Sequence, residues 1–274
     1  MILSEKTKNR LYQNYGRYAL VTGATSGIGK EIAYLLASAG FGLLIVARDE
    51  QELQRVAGHL TSSYHINVSF LATDLSLREG VHELILFSES FDIGLFVANA
   101  GFGTSGLFLE SQLSKELNML ALNCESLLVL THHFATRLAD RGRGGIILMS
   151  SMVGFQGTPH AAHYAATKAY VQSLGEALYH ELKEVHVDVL TASPGPVNTG
   201  FEKRANMKMG KALRASDVGV PILKSLGKRS TVLPGLLTKI LVYSLRTVPR
   251  WAKVRIMKKV MSGMTKHQLQ IKTT

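Results

Sequence analysis

From Tyr18 onward, apolar runs of five or six residues alternate with helix-length amphipathic stretches. A run with no polar face has no side to turn to water, so it reads as a strand covered on both sides by crossover helices. The pattern predicts strands over 18–22, 42–47, 68–72, 93–98, 145–150 and 187–192. Helices are predicted over 28–39, 50–62, 77–88, 114–139 and 160–184, with Gly40, Gly142 and Gly144 punctuating their ends. Six βα repeats with right-handed crossovers imply an α/β fold, a single doubly wound parallel sheet with helices on both faces. Ligands are expected beyond the C-terminal strand ends, where the winding direction switches.

The regularity stops after Pro194. Pro196, Gly200, Gly210 and a Met/Lys mixture at 207–211 interrupt it, followed by a helical stretch near 216–227 and an edge strand at 230–233. Beyond Pro234, Leu236, Leu237, Ile240, Leu241, Leu245, Trp251, Val254, Met257, Val260 and Met261 interleave with Lys239, Arg246, Arg250, Lys253, Arg255, Lys258 and Lys259 at roughly helical spacing, broken at Pro249. The chain thus divides into an N-terminal arm (1–17), whose role is not readable, a core (18–200), a substrate-covering lobe (201–233) and a basic amphipathic C-terminal helical extension (234–274).

Hydrophobic residues make up 46% of the 274 positions, enough for a full core. The single cysteine, Cys124, excludes an intrachain disulfide and a thiolate zinc site, which suits a reducing compartment. No run approaches the ~18 apolar residues of a membrane span, and residues 1–10 carry Glu5, Lys6, Lys8 and Arg10 rather than a signal core, so the expected location is cytoplasmic. The formal charge of +11 is unevenly placed: residues 1–202 hold 14 Lys/Arg and 19 Asp/Glu, whereas 203–274 hold 17 Lys/Arg and one acid, Asp217. Such an extension suits a peripheral membrane contact, or packing on the protein's own core or a partner subunit. Nucleic acid ranks third, since no recognisable module accompanies the basic residues, and no nucleic-acid partner is expected.

Between the first strand and a helix lies Thr22-Gly23-Ala24-Thr25-Ser26-Gly27-Ile28-Gly29. Glycines there let backbone N–H groups approach a pyrophosphate at a helix N-terminus, the Rossmann-type dinucleotide arrangement. At the end of the second strand, where an acid would bind the ribose 2′-hydroxyl of NAD, stands Ala47-Arg48. Arg48 suits a 2′-phosphate and favours NADP(H), with Lys30 as a helix-face assistant. Tyr164 and Lys168 share a helix face at i,i+4, where the ammonium is expected to pull the phenol below its ordinary pKa of about 10. Ser151, just after the fifth strand, is placed to hold a carbonyl oxygen.

With the glycine loop, Asn99-Ala100-Gly101 after the fourth strand, Ser151 and Tyr164-Ala-Ala-Thr-Lys168, the sequence resembles the short-chain dehydrogenase/reductase family over roughly 18–199. The resemblance implies a catalytic tetrad of Asn123, Ser151, Tyr164 and Lys168. Tyr164 would donate the proton, Ser151 orient the carbonyl, Lys168 bind the nicotinamide ribose and Asn123 hold a relay water. It also places Asp74 and Leu75 beside the adenine, Asn99, Ala100 and Gly101 at the cofactor's sheet edge, and Pro194, Gly195, Val197 and Thr199 near the carboxamide. Ala98 departs from the family's usual pair of asparagines. The family often forms dimers and tetramers through the helices bearing Asn123 and Tyr164, which implies a homo-oligomer here.

His160 and His163 lack a third ligand at metal spacing, so no metal is assigned; Cys124 reads as a small buried residue, and no G-x-S-x-G elbow surrounds Ser150 and Ser151. Phe102, Phe108, Phe155, Phe201, Met207, Met209 and Leu213 are candidates for an apolar substrate lobe. The expected function is NADPH-dependent reduction of a hydrophobic ketone (3-oxoacyl, long-chain or steroid-like), the last choice resting on the resemblance. The alternative is an NADP(H)-binding regulator or membrane-associated scaffold with little turnover.

Overall fold

The computed structural model describes residues 2–208, 210 and 212–270. In chain order the elements are α1 (Glu5–Tyr15), β1 (Tyr18–Thr22), α2 (Gly27–Ala37), β2 (Gly42–Ala47), α3 (Glu50–Tyr64), β3 (Val68–Ala72), α4 (Arg78–Ser88) and β4 (Ile93–Ala98). They continue as α5 (Leu113–Leu120), a π turn (Ala121–Ser126), α6 (Leu127–Asp140), β5 (Gly144–Met149), α7 (Ala162–Glu181) and β6 (Val187–Ala192). The remainder is β7 (Val197–Asn198), α8 (Phe201–Arg204), β8 (Leu213–Arg214), α9 (Ala215–Ser225), β9 (Thr231–Val232), α10 (Leu236–Ser244) and α11 (Arg250–Gln270).

Seven parallel strands form one sheet in the order β3-β2-β1-β4-β5-β6-β9. The chain winds outward from β1 to β3, returns to pair β4 against β1, and winds the other way. A crevice therefore opens beyond β1 and β4. Alternation along the strands sends Ala19, Val21, Leu43 and Ile45 into a core under α1, α2, α3 and α9, and Leu20, Leu44, Val46 and Phe96 into a second core under α4, α6 and α7. Burial on both faces is why these strands are uniformly apolar.

The structure adds four things to the expected elements. The arm before Tyr18 contains α1, which buries Leu11 and Tyr15 although most of its residues are polar. Tyr15 Oη donates to Asp188 Oδ2 at 2.6 Å, and the Arg10 guanidinium donates to the carbonyls of Leu226 and Leu223 at 2.7 and 3.0 Å, just after and within the last turn of α9. The helix expected over 114–139 is broken by the π turn, where Ser126 Oγ donates to the Ala121 and Leu75 carbonyls. A two-stranded ribbon, β7–β8, bridges the lobe after Pro194. The C-terminal extension forms two helices, parted just before Arg250, that fold back over the crevice.

Candidate active site

A cavity of about 940 Å³ runs from the strand ends into the space under α10 and α11. At one end lies the loop between β1 and α2. Gly27 adopts φ +58°, a conformation that side chains rarely take, and a Cβ there would stand 2.7 Å from Thr199 Cβ. A Cβ at Gly29 would strike Asn99 Nδ2 and the Gly23 carbonyl. Asn99 Nδ2 donates to the Thr22 and Gly23 carbonyls at 3.0 and 3.3 Å, and Thr22 Oγ1 accepts from the Asn99 and Ala100 N–H groups, so β1 and β4 are stitched at the crevice floor. The first turn of α2 has no side-chain cap, and Ser26, Gly27 and Ile28 line the cavity. Uncapped N–H groups at a helix start form a seat for an anion. These residues fit the pyrophosphate of a dinucleotide.

Gly29→Ala is expected to destabilise the protein by about 1–3 kcal/mol, the usual cost of forcing atoms into filled space, and to weaken dinucleotide binding. Calorimetric titration with NADPH alongside urea unfolding measures both effects.

Next to the loop, Arg48 stands mostly exposed at the end of β2, its Nη1 3.8 Å from Asp74 Oδ2. That is a loose pairing, since Asp74 Oδ1 is already held by the N–H and hydroxyl of Ser76 at 2.9 and 2.8 Å. Leu75 is buried and lines the same wall. Lys30 is turned away into a 3.2 Å ion pair with Glu52 and does not reach the cavity.

Midway along the cavity, Ser151 follows β5, and Tyr164 and Lys168 project from one face of α7. Both are buried, with Lys168 Nζ 6.0 Å from the Tyr164 ring centre and donating to the Met149 carbonyl at 2.8 Å. The phenol is raised rather than depressed. Burial pushes Tyr164 up to about 12, opposed by the hydrogen bond with Ser151. Burial likewise pulls Lys168 down to about 8. Removing either group from water penalises its charged form, and burial is the largest influence on both.

Gly23, Thr25, Asn99, Ala100, Gly101, Pro194, Gly195, Val197 and Thr199 also line the cavity. Asn123 does not. It is fully buried in the π turn behind the wall, its Nδ2 donating to Phe102 O and Thr167 Oγ1 at 2.9 and 3.1 Å while its Oδ1 accepts from Phe102 N at 3.2 Å. A Cβ on Gly101 would lie 2.9 Å from Asn123 Oδ1 and 3.4 Å from Lys168 Nζ. Glycine at 101 thus keeps a gap between the amide and the ammonium.

The far end of the cavity is apolar. Of the residues read as lobe candidates, Phe102, Phe201, Met207 and Leu213 line it. Phe108 instead projects into solvent from a short turn, and Phe155 packs among Met152, Leu233 and Val242; Met209 lies outside the described residues. Leu237, Thr238, Leu241, Met257, Met261 and Met264 complete the wall. The periodicity of Leu237, Leu241, Met257 and Met261 marked helices, but only packing shows which surface the helices cover. Thr238 is the anchor: a Cβ on Gly195 would stand 2.5 Å from its Oγ1, so glycine at 195 lets α10 sit directly on the cofactor-side loop. His163 Nδ1 lies 2.7 Å from Glu116 Oε2 and His160 Nε2 lies 3.2 Å from Ser262 Oγ, which ties the start of α7 to α5 and α11. Cys124 is buried, and burial pushes its thiol up.

The family model for short chain dehydrogenase matches residues 17–210, and the chain belongs to that family. It is an oxidoreductase of the class that works with NAD(H) or NADP(H). A 7beta-hydroxysteroid dehydrogenase of Clostridium sardiniense is 29% identical over 231 residues, which are 83% of this chain and 88% of that protein. A very-long-chain 3-oxoacyl-CoA reductase of Neurospora crassa is 35% identical over 205 residues, 72% of this chain but 61% of the longer relative. Among solved structures, a short-chain dehydrogenase from Sphingobium yanoikuyae in complex with NADPH superposes with a TM-score of 0.78 at 27% identity, covering 84% of this chain and 92% of that one.

Proposed function

We propose that this enzyme uses NADPH to reduce a hydrophobic ketone of the 3-oxoacyl, long-chain or steroid type to the alcohol. One observation carries the proposal: Ser151, Tyr164 and Lys168 stand at the junction of the two halves of a single cavity, one half shaped for a dinucleotide and the other walled by leucine, phenylalanine and methionine. The relatives that act on steroids and on very-long-chain 3-oxoacyl-CoA support the apolar half, and the NADPH complex supports the other.

When bound, the nicotinamide supplies a hydride. The chain's own groups do the rest. Tyr164, held near 12, is protonated at neutral pH and presents its Oη proton to the carbonyl oxygen. The Ser151 hydroxyl fixes that oxygen in line. As the proton leaves Oη, the charged Lys168 ammonium stabilises the phenolate left behind. Asn123 acts from behind, holding the Phe102 backbone beside the Gly101 gap. Asp74, Leu75 and the loop residues hold the adenosine and pyrophosphate ends. Exposed Leu117, Leu120, Leu128, Val129 and Tyr170 on α5, α6 and α7 support self-association through these helices.

Arg48 is the discriminating group for the 2′-phosphate. Charge-assisted hydrogen bonds are worth about 1.5–3 kcal/mol each, so Arg48→Asp is expected to shift preference from NADPH toward NADH by about 10-fold or more. Oxidation of each cofactor is followed against ketones of graded chain length. Rates that rise with apolar length in wild type and a reversed cofactor ratio in the variant support the proposal. An unchanged ratio defeats the phosphate assignment, and no oxidation with any ketone defeats the reductase.

A further inference from the structure

We propose that the outer face of α10 and the start of α11 dock on an anionic lipid surface, and that the cavity receives its apolar ligand through the mouth bordered by that face. A surface helix ordinarily turns polar residues to water. On α10 the arrangement is reversed: Thr238 and Val242 are buried, while Leu236, Ile240 and Tyr243 project outward at 75%, 54% and 52% exposure. Trp251, at the start of α11, is 64% exposed. Leu237, Leu241, Ile256 and Val260 are exposed and also line the cavity, so its rim belongs to the same apolar surface.

Cations stand among these residues. Lys239, Arg246, Arg250, Arg255, Lys258 and Lys259 are all exposed, and among the described residues none of them forms an ion pair. The Arg246 guanidinium lies over the Tyr243 ring at 4.7 Å and that of Arg255 over Trp251 at 5.2 Å. Aromatic rings paired with cations beside outward leucines match the depth profile of a bilayer interface, with apolar groups below the headgroups and positive charge level with them. A second copy docked through this same face would bring these cations against their own kind; an anionic lipid surface answers both the charge and the apolar face. Among the described residues no helix is long and apolar enough to cross a membrane, so the contact is interfacial.

Trp251 is the chain's only tryptophan, so its emission reports on this face alone. The full-length protein is titrated with vesicles of phosphatidylcholine alone and of phosphatidylcholine mixed in equal parts with phosphatidylglycerol. With the anionic vesicles, emission is expected to shift to the blue, to be quenched by brominated acyl chains, and to return as salt is raised. Ile240→Asp, at an exposed position outside the cavity wall, should weaken sedimentation with these vesicles by about tenfold or more. Arg246→Glu should weaken it by about fivefold or more. Leu109→Asp, at another exposed site, should bind as wild type. Equal binding by Ile240→Asp, affinity for duplex DNA without affinity for vesicles, or a vesicle-free dimer dissolved by Ile240→Asp would each overturn the proposal.

The entry route rests on the apolar-ketone reading and has its own measurement. Ile240→Asp should raise the KM for a ketone carried in anionic vesicles and leave kinetics with a short water-soluble ketone unchanged; an unchanged KM for the carried ketone removes the route. Vesicle docking without turnover of any ketone leaves the lipid contact standing and removes the reductase.

Discussion

Tyr164→Phe is expected to cut ketone reduction by about 10²–10⁴-fold, the range typical for loss of an acid–base group, while NADPH still binds. The reason is geometric. The ring is buried and lies against Phe201, centres 5.4 Å apart, and phenylalanine keeps that packing while deleting only Oη. Because burial holds the phenol near 12, the group is an acid at neutral pH, and its natural direction is protonation of a carbonyl oxygen. Alcohol oxidation needs the phenolate, so in wild type that direction should accelerate as pH rises. Stopped-flow measurement of NADPH oxidation, paired with a binding titration of the variant, separates chemistry from affinity. Full turnover in the variant would assign the proton to another group. Intact biological output with turnover gone would instead fit a cofactor-binding regulator, which needs no phenol.

Lys168→Met is expected to stabilise the cofactor-free protein while removing most of its activity. Burial lowers Lys168 from the ordinary lysine value of 10.5 to about 8, and each pKa unit is worth about 1.4 kcal/mol, so the buried charge costs about 3 kcal/mol. Losing the hydrogen bond to the Met149 carbonyl returns about 1 kcal/mol of that, leaving a net gain of about 2 kcal/mol. The sign follows from proton linkage. Between about 8 and 10.5 the unfolded chain holds a proton on this amine that the folded chain has released, so wild-type stability rises with pH across that window. The advantage of methionine is therefore complete below about 8 and fades as pH climbs toward 10.5. Urea unfolding of both proteins at neutral and alkaline pH tests this, and a variant less stable at pH 7 would show that the ammonium is not penalised by burial. The same titration predicts that wild-type reduction declines as pH passes about 8, where the charge facing the phenolate is lost.

The strands were legible because a parallel sheet buried on both faces leaves no choice of residue type. The runs over Leu43–Val46 and Leu95–Val97 admit no other environment, and their 0% exposure follows. The cofactor end was legible for a related reason: Gly27 and Gly29 stand where a side chain has no room, and such positions select for glycine. The rest depends on the third dimension. α1 is polar along most of its length, and its anchors, Leu11 and Tyr15, are a single i,i+4 pair, too short a row to mark a helix. The π turn leaves the apolar spacing of the surrounding helix nearly intact, so nothing in the order of residues shows that Asn123 faces the back of the Phe102 backbone rather than the cavity. The raised phenol was missed because i,i+4 spacing reports that two groups are near each other but not how dry their surroundings are. Met257 and Met261 of α11 were visible in a periodic row, while the wall they build is set by how α10 seats on Gly195.

That seating divides the molecule by tolerance. Ser151 and the glycine loop hang from sheet ends, where a Cβ at Gly27 or Gly29 would strike its neighbours, whereas the opposite side of the chamber carries long unbranched thioethers on one helix, Met257, Met261 and Met264. Thioethers adapt to guests of different outline. Point changes along the last helix should therefore reshape that wall while the glycine loop and the strand ends keep their positions.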